Sequence, residues 1–112
     1  MVSRDHVRDL ALALPEAIEQ DHHGRPSFRV GGKIFATLWD EHHLNVMLDE
    51  GGIRTAVDAD PETFADVWWG KRLAAVRVDL RRIEAKALAS LLEEAWELRV
   101  PMRLRPHDPV NT

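Results

Sequence analysis

The residues in this chain best suited to chemistry are its six histidines, and a metal site is the first chemistry they suggest. His22-His23 and His42-His43 are adjacent pairs, however. Neighbours in an extended segment point to opposite faces, so neither pair chelates as a unit. A site would need one histidine from each pair plus a carboxylate such as Asp21 or Asp40, and the i, i+4 spacing of a helical zinc motif is missing. Solvated turn histidines are the reading adopted, with no metal expected. The serines are Ser3, Ser27 and Ser90; Ser3 falls where a helix cap belongs, and Ser90 lies in a helical pattern without a nucleophile elbow. Asp58 and Asp60 flank a turn and read as helix punctuation. The stretch GRPSFRVGGK is glycine-rich, but no Gly-Lys-Ser/Thr follows, so its glycines predict a hairpin and not a phosphate loop. No catalytic motif stands out among these residues, and neither an enzyme nor a cofactor is expected.

Charge is more informative. Residues 40 to 66 hold eight acids and one base, Arg54, whereas residues 71 to 86 hold six bases and two acids. Arg25, Arg29 and Lys33 flank a predicted hairpin, Lys71, Arg72 and Arg77 belong to a second, and Arg99, Arg103 and Arg105 cluster towards the C-terminus. A chain with a net charge of −4 can thus present a local basic ridge, the minimal footprint for phosphate contact. The competing reading is that such charges are scattered and paired across strands, each pair contributing up to about 1 kcal/mol. Among the four tryptophans, Trp96 follows the apolar stripe of the last helix and is assigned to the core. Trp68 and Trp69 face opposite ways if extended. Burial is the favoured reading for both, and Trp69 is the candidate surface aromatic beside Lys71 and Arg72. A small molecule bound near Trp69 and His22-His23 is a further, less favoured possibility.

The elements that must position these residues follow from apolar spacing. Ser3 caps a predicted helix over 3–14, with Val7, Leu10, Ala11 and Leu14 on one stripe and Pro15 as its stop. AIEQDHHGRP reads as extended, turning at Gly24. SFRV and KIFATLW, separated by Gly31-Gly32, give the clearest hairpin signal, and HLNVMLD completes a three-strand antiparallel meander. In KIFATLW, Ile34, Ala36 and Leu38 share one face and Lys33, Phe35, Thr37 and Trp39 the other. A short helix is predicted at about residues 53 to 58, after Gly51-Gly52, and FADVWWGKRLAAVRVDL then gives a second hairpin bent at Gly70. A final helix is predicted over 83–100, its stripe running from Ile83 to Trp96 and its end set by Pro101.

The predicted class is α+β: two layers, a five-stranded antiparallel sheet with helices on one face, in the order α-β-β-β-α-β-β-α. Its 112 residues fit a single domain over 1–105 with a loose tail over 106–112. Without cysteine there is no disulfide and no thiolate site. The longest apolar run, Leu10 to Leu14, is far short of the ~20 residues that span a bilayer. MVSRDHVRDL is too charged for a secretory signal, so a cytoplasmic protein with no membrane partner is the expectation.

Four segments, LALALPEAIEQD, GRPSFRVGGKIFATL, WWGKRLAAVRVDL and LASLLEEAWELRVP, together resemble the MmcQ/YjbR family of small bacterial proteins. The most specific of them is the Phe-x-Val-Gly-Gly-Lys hairpin. The resemblance implies a fold similar to type III secretion chaperones and no accepted catalytic residues. It also implies double-stranded DNA as a partner, held by two β-hairpin wings. Here those wings would be Ser27–Trp39, with Arg25, Arg29 and Lys33, and Trp68–Leu80, with Lys71, Arg72 and Arg77. The chain departs from the family pattern after Lys71-Arg72, where Leu73-Ala74 replaces a frequent Gly-Trp pair. The alternative is a protein-interaction or chaperone-like module that binds a protein partner or a second copy of itself.

Overall fold

A computed structural model describes residues 1–104; Arg105 and the tail expected over 106–112 lie outside the described residues. The first helix, α1 (Arg4–Leu12), starts as its sequence predicts: Ser3 is the cap, and its hydroxyl accepts from the His6 N–H at 3.1 Å. The strands are β1 (Ile18–His22), β2 (Arg25–Val30), β3 (Lys33–Leu38), β4 (His43–Val46), β5 (Phe64–Trp69) and β6 (Arg72–Asp79). Helix α2 (Glu50–Ala59) stands between β4 and β5, and α3 (Ala85–Arg99) follows β6. The sheet has six strands in the order β1-β2-β3-β4-β6-β5, each neighbouring pair antiparallel. The expected meander and second hairpin are both present, and the hairpin joins the sheet through β6 beside β4.

The sixth strand is the correction to the predicted five. Ile18 to Asp21 are all exposed, so β1, an edge strand wet on both faces, carries none of the burial alternation that marks a strand in sequence. The second helix is also longer than predicted. Asp49 is its cap, accepting from the Gly52 N–H at 2.8 Å, so Gly51 and Gly52 are inside the first turn and do not precede it.

Register defines two faces. Phe28, Ala36, Val46 and Val76 are successive partners across β2, β3, β4 and β6, all fully buried, and with α3's Leu88, Leu92, Ala95 and Trp96 they form the core. Trp96 donates its Nε1–H to the Pro15 carbonyl at 3.0 Å, which ties α3 to the chain just past α1. On the opposite face the corresponding row is Ser27, Thr37, Asn45 and Arg77. The first three members of this polar row are buried, and Arg99 at the end of α3 reaches the same side of the sheet.

Strict alternation fails at one place that matters. Phe28 pairs with Ala36 but Arg29 pairs with Ile34, leaving Phe35 as the extra residue of a bulge. Phe35 therefore turns into the core at 0% exposure, and Ile34 turns out to the open face, the reverse of the assignment drawn from period two. A second bulge, between Val67 and Trp68, leaves Ala74 as the extra residue on β6.

Candidate functional site

Strand β4 is only four residues long, and it separates the two hairpins. Its pairing reaches Ala36 on β3 and Val76 on β6. Beyond those points β3 runs on to Lys33 and β6 back to Arg72, so both hairpins, β2–β3 and β5–β6, extend past it at one end of the sheet. The turn Gly31-Gly32 closes the first with φ of +58° and +79°, as a two-residue turn between right-twisted strands requires. Gly31 also packs against the ring of Pro101, which leaves no room for a side chain there: an added Cβ would lie 2.7 Å from Pro101 Cγ.

The open face between and below the hairpins is hollowed into a trough of about 860 Å³. Its walls carry Arg25, Arg29, Lys33, Arg72, Arg77 and Arg99, and among the described residues no Asp or Glu lines it. Among the described residues none of these six cations forms a salt bridge; the carboxylate partners go to Arg8, Arg54, Arg81, Arg82 and Arg103, with Asp40 paired to His43.

Neutral acceptors hold the arginines instead. Arg25 donates from Nε to the Trp39 carbonyl at 2.8 Å, and Arg77 from Nε to Asn45 Oδ1 at 3.0 Å. Arg29 donates to Ser27 Oγ at 3.2 Å and approaches His22 Nδ1 at 3.5 Å. Arg99 reaches from the end of α3 to the Ile34 carbonyl at 3.2 Å. Such bonds fix direction without cancelling charge, so the guanidinium groups keep their attraction for an incoming anion.

Aromatic rings complete the lining. The guanidinium carbons of Arg25 and Arg77 lie 3.9 and 4.6 Å from the Trp39 ring centroid, and that of Arg72 lies 6.0 Å from Trp69. Apolar contact comes from Ile34, Met47 and Val67.

The residues singled out from sequence divide as follows. Arg25, Arg29, Lys33, Arg72, Arg77 and Trp69 share the trough, and His22 and His23 join them at its rim. Lys71 does not: it lies on the helix-bearing side with Trp68, near Leu48 and Leu98. The two tryptophans do face opposite ways, but burial of both is overturned, since Trp68 is 47% and Trp69 53% exposed. They close the end of an edge strand that α3 does not cover. Trp39, Asn45 and Arg99 were missed. Trp39 had a usable signal, being in phase with Thr37 on the hairpin's polar face; Arg99 showed in the sequence as one of a C-terminal basic cluster, and only the fold brings α3's end to β3. Among the described residues no group of three or more His, Cys, Asp or Glu side chains is placed to hold a metal ion.

The class these observations define is an α+β domain, a six-stranded antiparallel sheet with helices packed on one face and a cationic trough on the other. The YjbR family model matches residues 12–98, and the chain belongs to that family. The crystal structure of Deinococcus radiodurans protein DR2400, a DUF419 domain, is similar with a TM-score of 0.74 at 22% identity, over 88% of this chain and 78% of that one. At that identity the likeness bears on the fold alone. No curated protein matches the chain. No helix among the described residues is long and apolar enough to cross a membrane.

Proposed function

We propose that this protein is a nucleic-acid-binding domain whose phosphate contacts come from the open face of the sheet. One observation carries the reading: among the described residues six cations without a salt bridge line a single trough that holds no carboxylate, in a chain that is acidic as a whole. A scattered surface would mix signs. Here no described acid joins the six bases of the trough: Asp5 and Asp9 lie on α1, Glu93, Glu94 and Glu97 on α3, and Asp49, Glu50, Asp58 and Asp60 on or beside α2.

The two-wing arrangement for duplex DNA draws support from Lys33, Lys71 and Arg72 at the tips of the parallel-pointing hairpins. The alternative, a protein-interaction module, draws its support from the unpaired outer edge of β5, where Trp68 and Trp69 are exposed.

Fluorescence anisotropy of labelled DNA, duplex and single-stranded, tests the reading between 50 and 200 mM salt. If the six cations each neutralise one phosphate, affinity falls by roughly 300-fold for a single strand and 2,000-fold for a duplex over that range. Arg29→Gln with Arg77→Gln removes two contacts and flattens the salt slope by about 1.4 to 1.8. Absence of binding to either form at 50 mM salt overturns the proposal.

A further inference from the structure

The trough is the wrong shape for a duplex surface. A double helix is convex and is entered by something that projects: the major groove, about 12 Å wide, admits a helix or a two-stranded ribbon. Cations meant for that task belong on the hairpin tips. Arg29 and Arg77 are instead mid-strand, half-buried and bonded down to side chains of the sheet floor. Arg25 lies at the start of β2, at the end of the sheet away from the Gly31-Gly32 turn. A rigid cylinder resting on the tips would leave these three out of reach.

What the trough does fit is smaller. Its volume of about 860 Å³ falls in the range of pockets that enclose small molecules. Its lining pairs cations with flat and apolar surface: Trp69 and Val67 on β5, and Ile34 and Met47 elsewhere in the trough. Trp69 is 53% exposed, and among the described residues the guanidinium over its ring, that of Arg72, is 6.0 Å from the centroid, so room remains for another planar group. Proteins that hold unpaired strands combine a positive groove for the backbone with an aromatic platform for the bases, and arginine planes extend such stacks.

We infer that the trough takes an unpaired nucleotide, its base against Trp69 and its phosphate at Arg72 beside that ring, presented by a single strand, whose flanking phosphates reach the other trough cations, in preference to a duplex. This rests on the nucleic-acid reading above and specifies the form of ligand. In a duplex the same base face is stacked within the helix and closed to Trp69.

The test is a competition read by anisotropy at 50 mM salt with a labelled twelve-nucleotide oligothymidylate. The unlabelled competitors are the same oligomer, a mixed-sequence duplex of equal length, and thymidine 5′-monophosphate. The expected result is at least tenfold weaker competition by the duplex than by the oligomer. Trp69→Ala is then expected to lose between about fivefold and a hundredfold in affinity for the single strand, with an unchanged melting temperature. Monophosphate competing as well as the oligomer would keep the unpaired-nucleotide site and assign a free nucleotide as its source. A duplex that competes equally, or a Trp69→Ala variant with full affinity, overturns the inference and leaves nucleic-acid binding standing. Failure of every probe to bind removes both.

Discussion

Replacing either glycine of the first hairpin turn by alanine imposes the same backbone problem but not the same packing problem. Gly31 and Gly32 have φ of +58° and +79°, a region where an L-residue costs about 1–2 kcal/mol, partly offset by about 0.4–1 kcal/mol from a stiffer unfolded chain. The net cost of Gly32→Ala is then about 1 kcal/mol, because an added Cβ there meets nothing within 4 Å. At Gly31 the new methyl would stand 2.7 and 2.9 Å from Pro101 Cγ and Cδ, atoms of a ring that cannot rotate away. Overpacking of that kind adds about 1–3 kcal/mol, giving about 2–4 kcal/mol in all. With an unfolding entropy near 2.1 cal/mol/K per residue, 1 kcal/mol is about 4 °C for this length. Thermal melts followed by circular dichroism should therefore fall by about 4 °C for Gly32→Ala and 8–16 °C for Gly31→Ala. Pro101→Ala in the Gly31→Ala background should recover most of the difference. Equal melting temperatures for the two single variants would refute the idea that Pro101 anchors this hairpin.

Three further outcomes are expected. Trp96→Phe removes the hydrogen bond to the Pro15 carbonyl and leaves a gap in the core, lowering stability by about 2 kcal/mol in urea titration; a loss below 0.5 kcal/mol would show that the tie is idle. Asp49→Ala uncaps α2 at a cost of about 1 kcal/mol, with asparagine at the same position restoring most of it. Arg81 donates two side-chain bonds to Asp79, which with its backbone N–H hold that carboxyl below the usual range against the opposing effect of burial. A depressed carboxyl stabilises above its unfolded pKa of about 3.9 and loses that contribution as pH falls through the lower folded value. The stability gap between the parent and Asp79→Asn should be constant above pH 5 and close below pH 4; a gap that widened in acid would reverse the assignment.

Most of the fold is legible in the chain because most of it is half-buried. Leu88, Leu92 and Trp96 announce α3 through spacing that a single wet face and a single dry one impose. The segment of β1 reads as extended but not as a sheet strand for the opposite reason, having no dry face. Helix α2 hides behind Gly51-Gly52, residues that read as a break until Asp49 is recognised as the cap. Phe35 defeats period two because a bulge depends on the partner strand's register, which no local window contains. For the site, residue type was enough to nominate the bases of the hairpins. Their convergence depends on β4 lying between β3 and β6, and that is a property of strand order. Lys71, one residue from Arg72, falls on the other side for the same reason that adjacent tryptophans do.

The neutral anchoring of the trough arginines also has a cost for the protein that carries it. Carbonyl and amide partners orient Arg25, Arg77 and Arg99 but leave like charges crowded on one concave surface, and their mutual repulsion works against the folded state. Function and robustness are thereby set against one another. Each guanidinium that sharpens the appetite for an anion makes the unliganded domain a little easier to unfold, and each bound anion gives that stability back by mass action. A carboxylate placed at Thr37, on the trough floor, would act as an internal counter-ion: it would quiet the repulsion permanently and leave the site with its own occupant.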